Sequence, residues 1–114
     1  MKRFAVSATL AVLLCACTVT PDPEPAARFT VPGNYRAVGE CAFATIVRKE
    51  PAVRVANLES QRLVRVYFAQ GAVYGWEADF TEQGTDTTVT IRTINFGRSM
   101  VVDRIRAYVN SCAS

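Results

Sequence analysis

The chain contains four cysteines and no histidine among its 114 residues. Histidine is the usual general base beside a serine or cysteine nucleophile, and it is also the most frequent metal ligand. Its absence argues against nucleophile–base pairs of the common kind. Two cysteines without histidine do not complete an ordinary zinc tetrahedron, and the N-terminal motif described below would leave two free thiols in this chain. The sequence therefore predicts no metal and no cofactor, and the thiols need another explanation.

Two carboxylates offer the remaining route to catalysis. Glu77 and Asp79 are separated by one residue in a segment that alternates like a strand, so both would lie on one face, about 7 Å apart. That separation is compatible with the carboxylate pairs of glycosidases. Alternating acids on an exposed strand are also common, and nothing in the sequence marks a cleft around this pair. We therefore expect a protein that is not an enzyme.

The N-terminus has the pattern of an export signal. Lys2 and Arg3 precede eleven uncharged residues, Phe4 to Leu14. This length is typical of a signal-peptide hydrophobic region and is shorter than the roughly 20 residues that a membrane-spanning helix needs. An N-terminal core helix is the alternative, but proline-rich sequence follows it and the helix would have no polar side.

The hydrophobic run ends in Leu14-Cys15-Ala16-Cys17. This motif resembles the lipobox of bacterial lipoproteins, which has an aliphatic residue at −3, a small residue at −1 and then the lipidated cysteine; Cys15 at −2 is less usual. The resemblance covers residues 1–18 and implies that residues 1–16 are a signal peptide and that Cys17 receives a diacylglycerol. Acyl chains of this kind hold a protein on a membrane, since each buried CH₂ adds about 0.8 kcal/mol.

Within the lipoprotein family, the residue after the lipidated cysteine directs sorting between membranes. An Asp there usually retains the protein in the inner membrane, and this chain has Thr18. The chain thus resembles the small outer-membrane lipoproteins of proteobacteria. The resemblance implies a protein anchored by its lipid to the periplasmic side of the outer membrane, with the cell surface as the alternative.

The charge of the processed chain is close to neutral. Removing residues 1–16 takes away Lys2 and Arg3, so the 13 basic side chains become 11, against 10 acidic ones. A balance of this kind argues against nucleic-acid binding and against electrostatic docking to anionic lipid. The partners that we expect are the membrane, through the lipid, and an envelope protein.

Residues 17–33 are predicted to form a tether and residues 34–114 a single α+β domain. Prolines recur through the tether and favour extended polyproline II structure. In the domain, Asn34 is a good N-cap for a helix that ends by Glu50, and Ser99 for one that runs to about Ser111. Between the helices, alternating Val, Ile, Thr and aromatic residues predict antiparallel strands at 52–57, 62–68, 72–80 and 87–94.

The alternation divides the predicted sheet into two faces. Turns of four, three and four residues place eleven apolar side chains on one of them, which we call the inner face and which both helices should cover. The other, the outer face, carries Arg54, Leu63, Arg65, Tyr67, Val73, Glu77, Asp79, Thr90 and Arg92. In this register Glu77 lies diagonally from Arg65 and Arg92, and Tyr67 pairs with Val73. Leu63, Tyr67 and Val73 then form a small apolar patch where a partner could bind.

Acylation of Cys17 leaves Cys41 and Cys112 as the remaining thiols. Outside the cytoplasm two such cysteines predict one disulfide, worth about 4 kcal/mol for a loop of this length, with two free buried thiols as the alternative. The sequence thus predicts a lipid-anchored, non-catalytic binding or scaffold module. A cell-wall-active enzyme, or an inhibitor of one, is the competing hypothesis.

Overall fold

The computed structural model describes residues 24–70, 73–93 and 98–113, which form an antiparallel sheet and two helices in an α+β fold. The elements in chain order are β1 (Ala27–Pro32), α1 (Tyr35–Val47), β2 (Val53–Leu58), β3 (Leu63–Gln70), β4 (Val73–Gln83), β5 (Asp86–Thr93) and α2 (Arg98–Cys112). The strand order is β1-β5-β4-β3-β2. Strands β2 to β5 therefore form a meander, and β1 is added beside β5.

The expectation of four strands is wrong in number, because β1 lies in the segment predicted to be a tether. Its apolar residues Ala27, Phe29 and Val31 alternate with polar ones, and this period of two is that of a half-buried strand. The prolines of this segment favoured an extended tether over a strand in the sequence-based prediction. Pro32 ends the strand at an edge of the sheet, where a missing N–H does no damage.

Helix α1 begins as the sequence predicts. The Asn34 side chain accepts hydrogen bonds from the backbone N–H groups of Arg36 and Ala37, at 3.0 and 3.3 Å. Gly33 precedes it with φ at 114°, a conformation that favours glycine, and links β1 to the helix. Gly39 lets the helix approach the sheet closely, since a Cβ there would lie 2.8 Å from Val64 Cγ1. The helix ends at Val47, within the limit at Glu50 that the sequence predicts.

Both helices contribute to one hydrophobic core with the inner face. Ala42 and Ile46 of α1 and Ile105 and Val109 of α2 are buried in the same cluster as the inner-face residues Val64, Val66, Ala78, Phe80, Val89 and Ile91. Helix α2 also reaches β1, where the Arg106 guanidinium carbon lies 4.7 Å from the centre of the Phe29 ring. A disulfide between Cys41 and Cys112, with an S–S distance of 2.07 Å, joins the two helices.

The two faces agree with the prediction, but the rows of neighbours across the sheet do not. Strand β4 continues to Gln83, and the turn to β5 has two residues instead of four, with Gly84 at φ 61°. Strand β3 continues to Gln70 and pairs there with Val73, and the register shifts by one at Phe68 and Ala69, leaving Gly75 as the extra residue. Longer hairpins move the neighbours along the strands without exchanging the two faces, except beyond the register shift, where the backbone places Val73 and Tyr74 in other rows than the sequence predicts. The sequence placed Tyr74 on the inner face with Phe68, whereas the backbone register pairs it with Ala69.

Candidate functional site

The outer face carries a row of charged residues that crosses the middle of the sheet. Register places Arg65 of β3 directly opposite Asp79 of β4, and Glu77 directly opposite Arg92 of β5. The expected diagonal position of Arg92 relative to Glu77 is therefore wrong, because the shorter β4–β5 turn shifts β5 by two residues. The diagonal position of Arg65 relative to Glu77 is as predicted. We call Arg65, Glu77, Asp79 and Arg92 the charged cluster.

The charged cluster is held together by one short pair and three longer ones. Arg65 donates from Nε and Nη2 to the two carboxylate oxygens of Asp79, at 2.7 and 3.0 Å. The same Nε lies 3.2 Å from Glu77 Oε2. Arg92 Nη1 lies 3.8 Å from Glu77 Oε1 and 3.6 Å from Asp79 Oδ2. A bidentate arginine–carboxylate pair fixes both side chains in a plane, so this part of the face is rigid.

The two carboxylates are well shielded even though they lie on the face opposite the helices. The Asp79 side chain is 10% exposed and that of Glu77 is 13% exposed, whereas the arginines are 33% and 25% exposed. The long arginine side chains therefore lie over the acids and present their guanidinium groups to solvent. A ligand that approaches this face meets arginine first.

The predicted apolar patch is rearranged in the structure. Leu63 and Tyr67 share the outer face with Arg65 between them, but Leu63 is buried at 7% exposure and Tyr67 is half-buried. Tyr67 pairs with Glu77, so the predicted pairing of Tyr67 with Val73 is wrong; Val73 pairs with Gln70, close to the tip of the longer hairpin. The side chain of Val73 lies outside the described part of the structure. Leu63 and Tyr67 both border the charged cluster, and Tyr67 is the more exposed of the two.

Strand β1 adds residues to this face that the sequence analysis missed. Arg28 lies opposite Thr90, in the same row as Asp79 and Arg65, and Thr30 lies opposite Thr88. A shallow depression of about 420 Å³ lies next to them, lined by Arg28, Thr81, Glu82, Gln83, Thr88 and Thr90. The alternation of Ala27 to Val31 was the signal that would have placed Arg28 here.

Exposed arginines stand at both sides of the outer face. Arg28 lies on β1 at one edge of the sheet, and Arg54 lies on β2 at the other. Neither of them pairs with a carboxylate among residues 24–70, 73–93 and 98–113. The face thus has an internally paired centre with a net charge of zero and a positive group on each flank.

Two predicted sites lie outside this face. The disulfide between Cys41 and Cys112 joins the helices, and Thr45 Oγ1, which donates to the Cys41 carbonyl, is 3.9 Å from Cys112 Sγ. Cys17 and the rest of the motif from Leu14 to Thr18 lie outside the described residues. Within the described ranges no group of acids or cysteines is arranged to hold a metal ion, and no helix there has the length and apolar character to cross a bilayer.

Comparisons of the chain with known protein families, with characterised proteins and with solved structures found no match.

Proposed function

We propose that this protein is a lipid-anchored envelope lipoprotein whose folded domain is a non-catalytic binding or scaffold module. The anchor is a diacylglycerol on Cys17, and the location is the periplasmic side of the outer membrane. Support for the anchor comes from the lipobox-like Leu14-Cys15-Ala16-Cys17 and from the basic, hydrophobic N-terminus. The disulfide adds support, since such bonds persist in oxidising compartments.

One observation carries the binding role: the outer face holds an ordered, arginine-rich surface whose carboxylates are already engaged. Both Asp79 oxygens accept hydrogen bonds from Arg65. A catalytic acid or base has to lie within hydrogen-bond reach of a substrate proton, and these oxygens face arginines instead. A rigid surface of paired charges suits recognition, because little side-chain entropy is lost when a partner binds.

We place the partner on the outer face, with Tyr67 and the guanidinium groups at its centre. Tyrosine and arginine are the residues that most often dominate protein interfaces. The flanking Arg28 and Arg54 favour a partner protein that presents acidic side chains. The surface has no cover from helices α1 and α2, whose buried residues belong to the core on the inner face.

Site-specific photocrosslinking in the native envelope tests this role. A photoreactive amino acid at Tyr67 should give a crosslinked protein that mass spectrometry identifies, and the same group at Asn110, an exposed position on α2, should not. Changing Arg28 and Arg54 together to Glu should weaken the Tyr67 crosslink. Equal crosslinking from Tyr67 and Asn110 would count against the outer face as the binding surface.

The anchor and the competing enzyme hypothesis have their own tests. Cys17→Ser should move the protein from the membrane fraction to the soluble fraction, and an unchanged distribution would contradict the lipid anchor. A double change of Glu77 and Asp79 to their amides is the variant that would inactivate a cell-wall enzyme. If the folded variant lost a hydrolytic activity that the native chain possessed, the catalytic hypothesis would replace ours.

A further inference from the structure

The two edge strands of the sheet differ in how well they are protected against pairing with a strand of another chain. At the β1 edge, Pro32 ends the strand and the guanidinium of Arg106 lies over Phe29, which ties the strand to α2. At the β2 edge, Val53–Leu58 is a regular six-residue strand without proline, and Arg54 is its single charge. Natural proteins usually block a free edge with proline, a bulge, several charges or a covering element. Strand β2 lacks most of these devices.

An apolar side chain stands uncovered at this less protected edge. Val55 is 40% exposed, although Val66, its neighbour across the β2–β3 pair, is fully buried. Among the described strand residues with an assigned burial, Val55 is the one large hydrophobic side chain that is exposed. The core under the helices includes Val53 at the start of β2, which is buried, and it ends before Val55.

We infer that β2 pairs with β2 of a second copy of this chain, antiparallel and about a two-fold axis at Val55. Two antiparallel strands related in this way join the two sheets into one continuous sheet of ten strands. Val55 then lies opposite Val55 of the second copy on the inner face, and the two exposed side chains cover each other. Main-chain hydrogen bonds along the joined edges supply the rest of the contact.

The charges of β2 permit this register. With Val55 on the axis, each Arg54 faces Ala56 of the second copy, so the two arginines do not meet directly. Val53 likewise faces Asn57. The strand is therefore complementary to its own antiparallel copy, which is the requirement for an isologous interface.

The contact should be weak. With Val55 on the axis, five residues of each strand are paired, Val53 to Asn57, and they span about 17 Å. So short an edge buries less than the roughly 1,200 Å² that a stable interface buries. Association should therefore depend on concentration, and it should increase when copies share a surface. This inference does not depend on the proposed lipid anchor or on the partner of the outer face.

A charge introduced at the symmetry axis tests the pairing of the two β2 strands. Sedimentation equilibrium of the purified full-length chain in detergent should show a monomer–dimer equilibrium. Val55→Lys and Val55→Glu should each weaken the dimer at least tenfold, because like charges then meet on the axis. An equimolar mixture of the two variants should restore dimers, since Lys then faces Glu. This rescue separates pairing at Val55 from any other mode of association.

Met100→Lys is the matched control, because Met100 is a large hydrophobic residue that is also exposed, at 67%, and it lies on α2, away from the β2 edge. It should leave the dimer unchanged. A native chain that stays monomeric at every concentration would overturn the inference, as would mixed variants that fail to associate. If a charged variant does not fold, Val55→Cys supplies the test: it should form a disulfide-linked dimer, and a failure of Met100→Cys to do so confirms the position.

Discussion

The inner and outer faces of the sheet are made by the same strands, and they achieve stability in different ways. The inner face combines buried Val, Ile and Phe side chains with two helices and a disulfide. The outer face replaces the helical cover with its own long arginine side chains, which lie over Glu77 and Asp79. A face closed by packing contributes stability and presents little to a partner. A face closed by paired charges contributes less stability and remains available for binding.

Among changes to the two faces, truncation of a central inner-face residue should lower the stability of the protein most. Phe80 is fully buried at the centre of the core. Phe80→Ala should lower the free energy of unfolding by about 4 kcal/mol, because it removes apolar contacts and leaves a cavity. Urea denaturation measures the loss. Thr81→Ala, the next residue on the same strand but on the outer face, is the control and should change stability by less than about 0.5 kcal/mol.

Loss of the disulfide should lower the free energy of unfolding by nearly as much as Phe80→Ala. Cys41 and Cys112 close a loop of 71 residues, so reduction should lower stability by about 3 to 4 kcal/mol in the chain-entropy model. For a domain of this size the melting temperature should then fall by more than about 10 °C. Thermal unfolding with and without reductant measures the difference. A shift of only one or two degrees would show that packing alone holds the helices on the inner face.

An outer-face change should have a smaller effect on stability. Asp79→Asn removes a charge that pairs with Arg65 and lies near Arg92. We expect a loss of about 1 to 2 kcal/mol, since the pair is shielded but its arginines reach solvent. A double-mutant cycle with Arg65→Gln isolates the pair: if the two effects simply add, the charged cluster does not act as a unit.

Two buried threonines give the smallest and most direct test, because their effects should have opposite signs. The Thr93 hydroxyl has no hydrogen-bond partner within the described residues, whereas that of Thr87 donates to the Gly33 carbonyl at 2.8 Å. Thr93→Val should stabilise the protein by about 1 kcal/mol, and Thr87→Val should destabilise it by a similar amount. Equal effects in chemical denaturation would mean that the inner face accommodates both hydroxyls alike.

The sequence predicted which face of the sheet a side chain occupies better than it predicted which residues lie opposite each other on neighbouring strands. The difference has a physical reason. Which face a side chain occupies depends on whether a turn has an odd or even number of residues, and apolar alternation reports that directly. Which residue lies opposite another depends on the actual turn length. Turns of two and four residues preserve the faces equally, so Arg92 was expected two residues from its true position opposite Glu77.

Prolines concealed the remaining part of the candidate site. Alternation at Ala27 to Val31 was present in the sequence, but the nearby prolines favoured an extended tether over a strand. An edge strand tolerates a proline at its end, and the position of β1 at the edge follows only from its pairing with β5. Arg28 was therefore missing from the predicted outer face. The pairing of Cys41 with Cys112, by contrast, was predicted from the cysteine count and compartment, and the structure contains it.

The bond between Cys41 and Cys112 makes residues 41–112 a covalent ring, and β1 lies on the open arm that leads into it. Cleavage of the peptide chain once inside the ring leaves the pieces attached, while cleavage near Gly33 detaches β1 with everything before it. The arm is also the part of the sheet that two molecules can exchange without opening a covalent bond. Strand swapping between copies, if it is forced by heating under oxidising conditions, should therefore involve β1 and leave the meander intact.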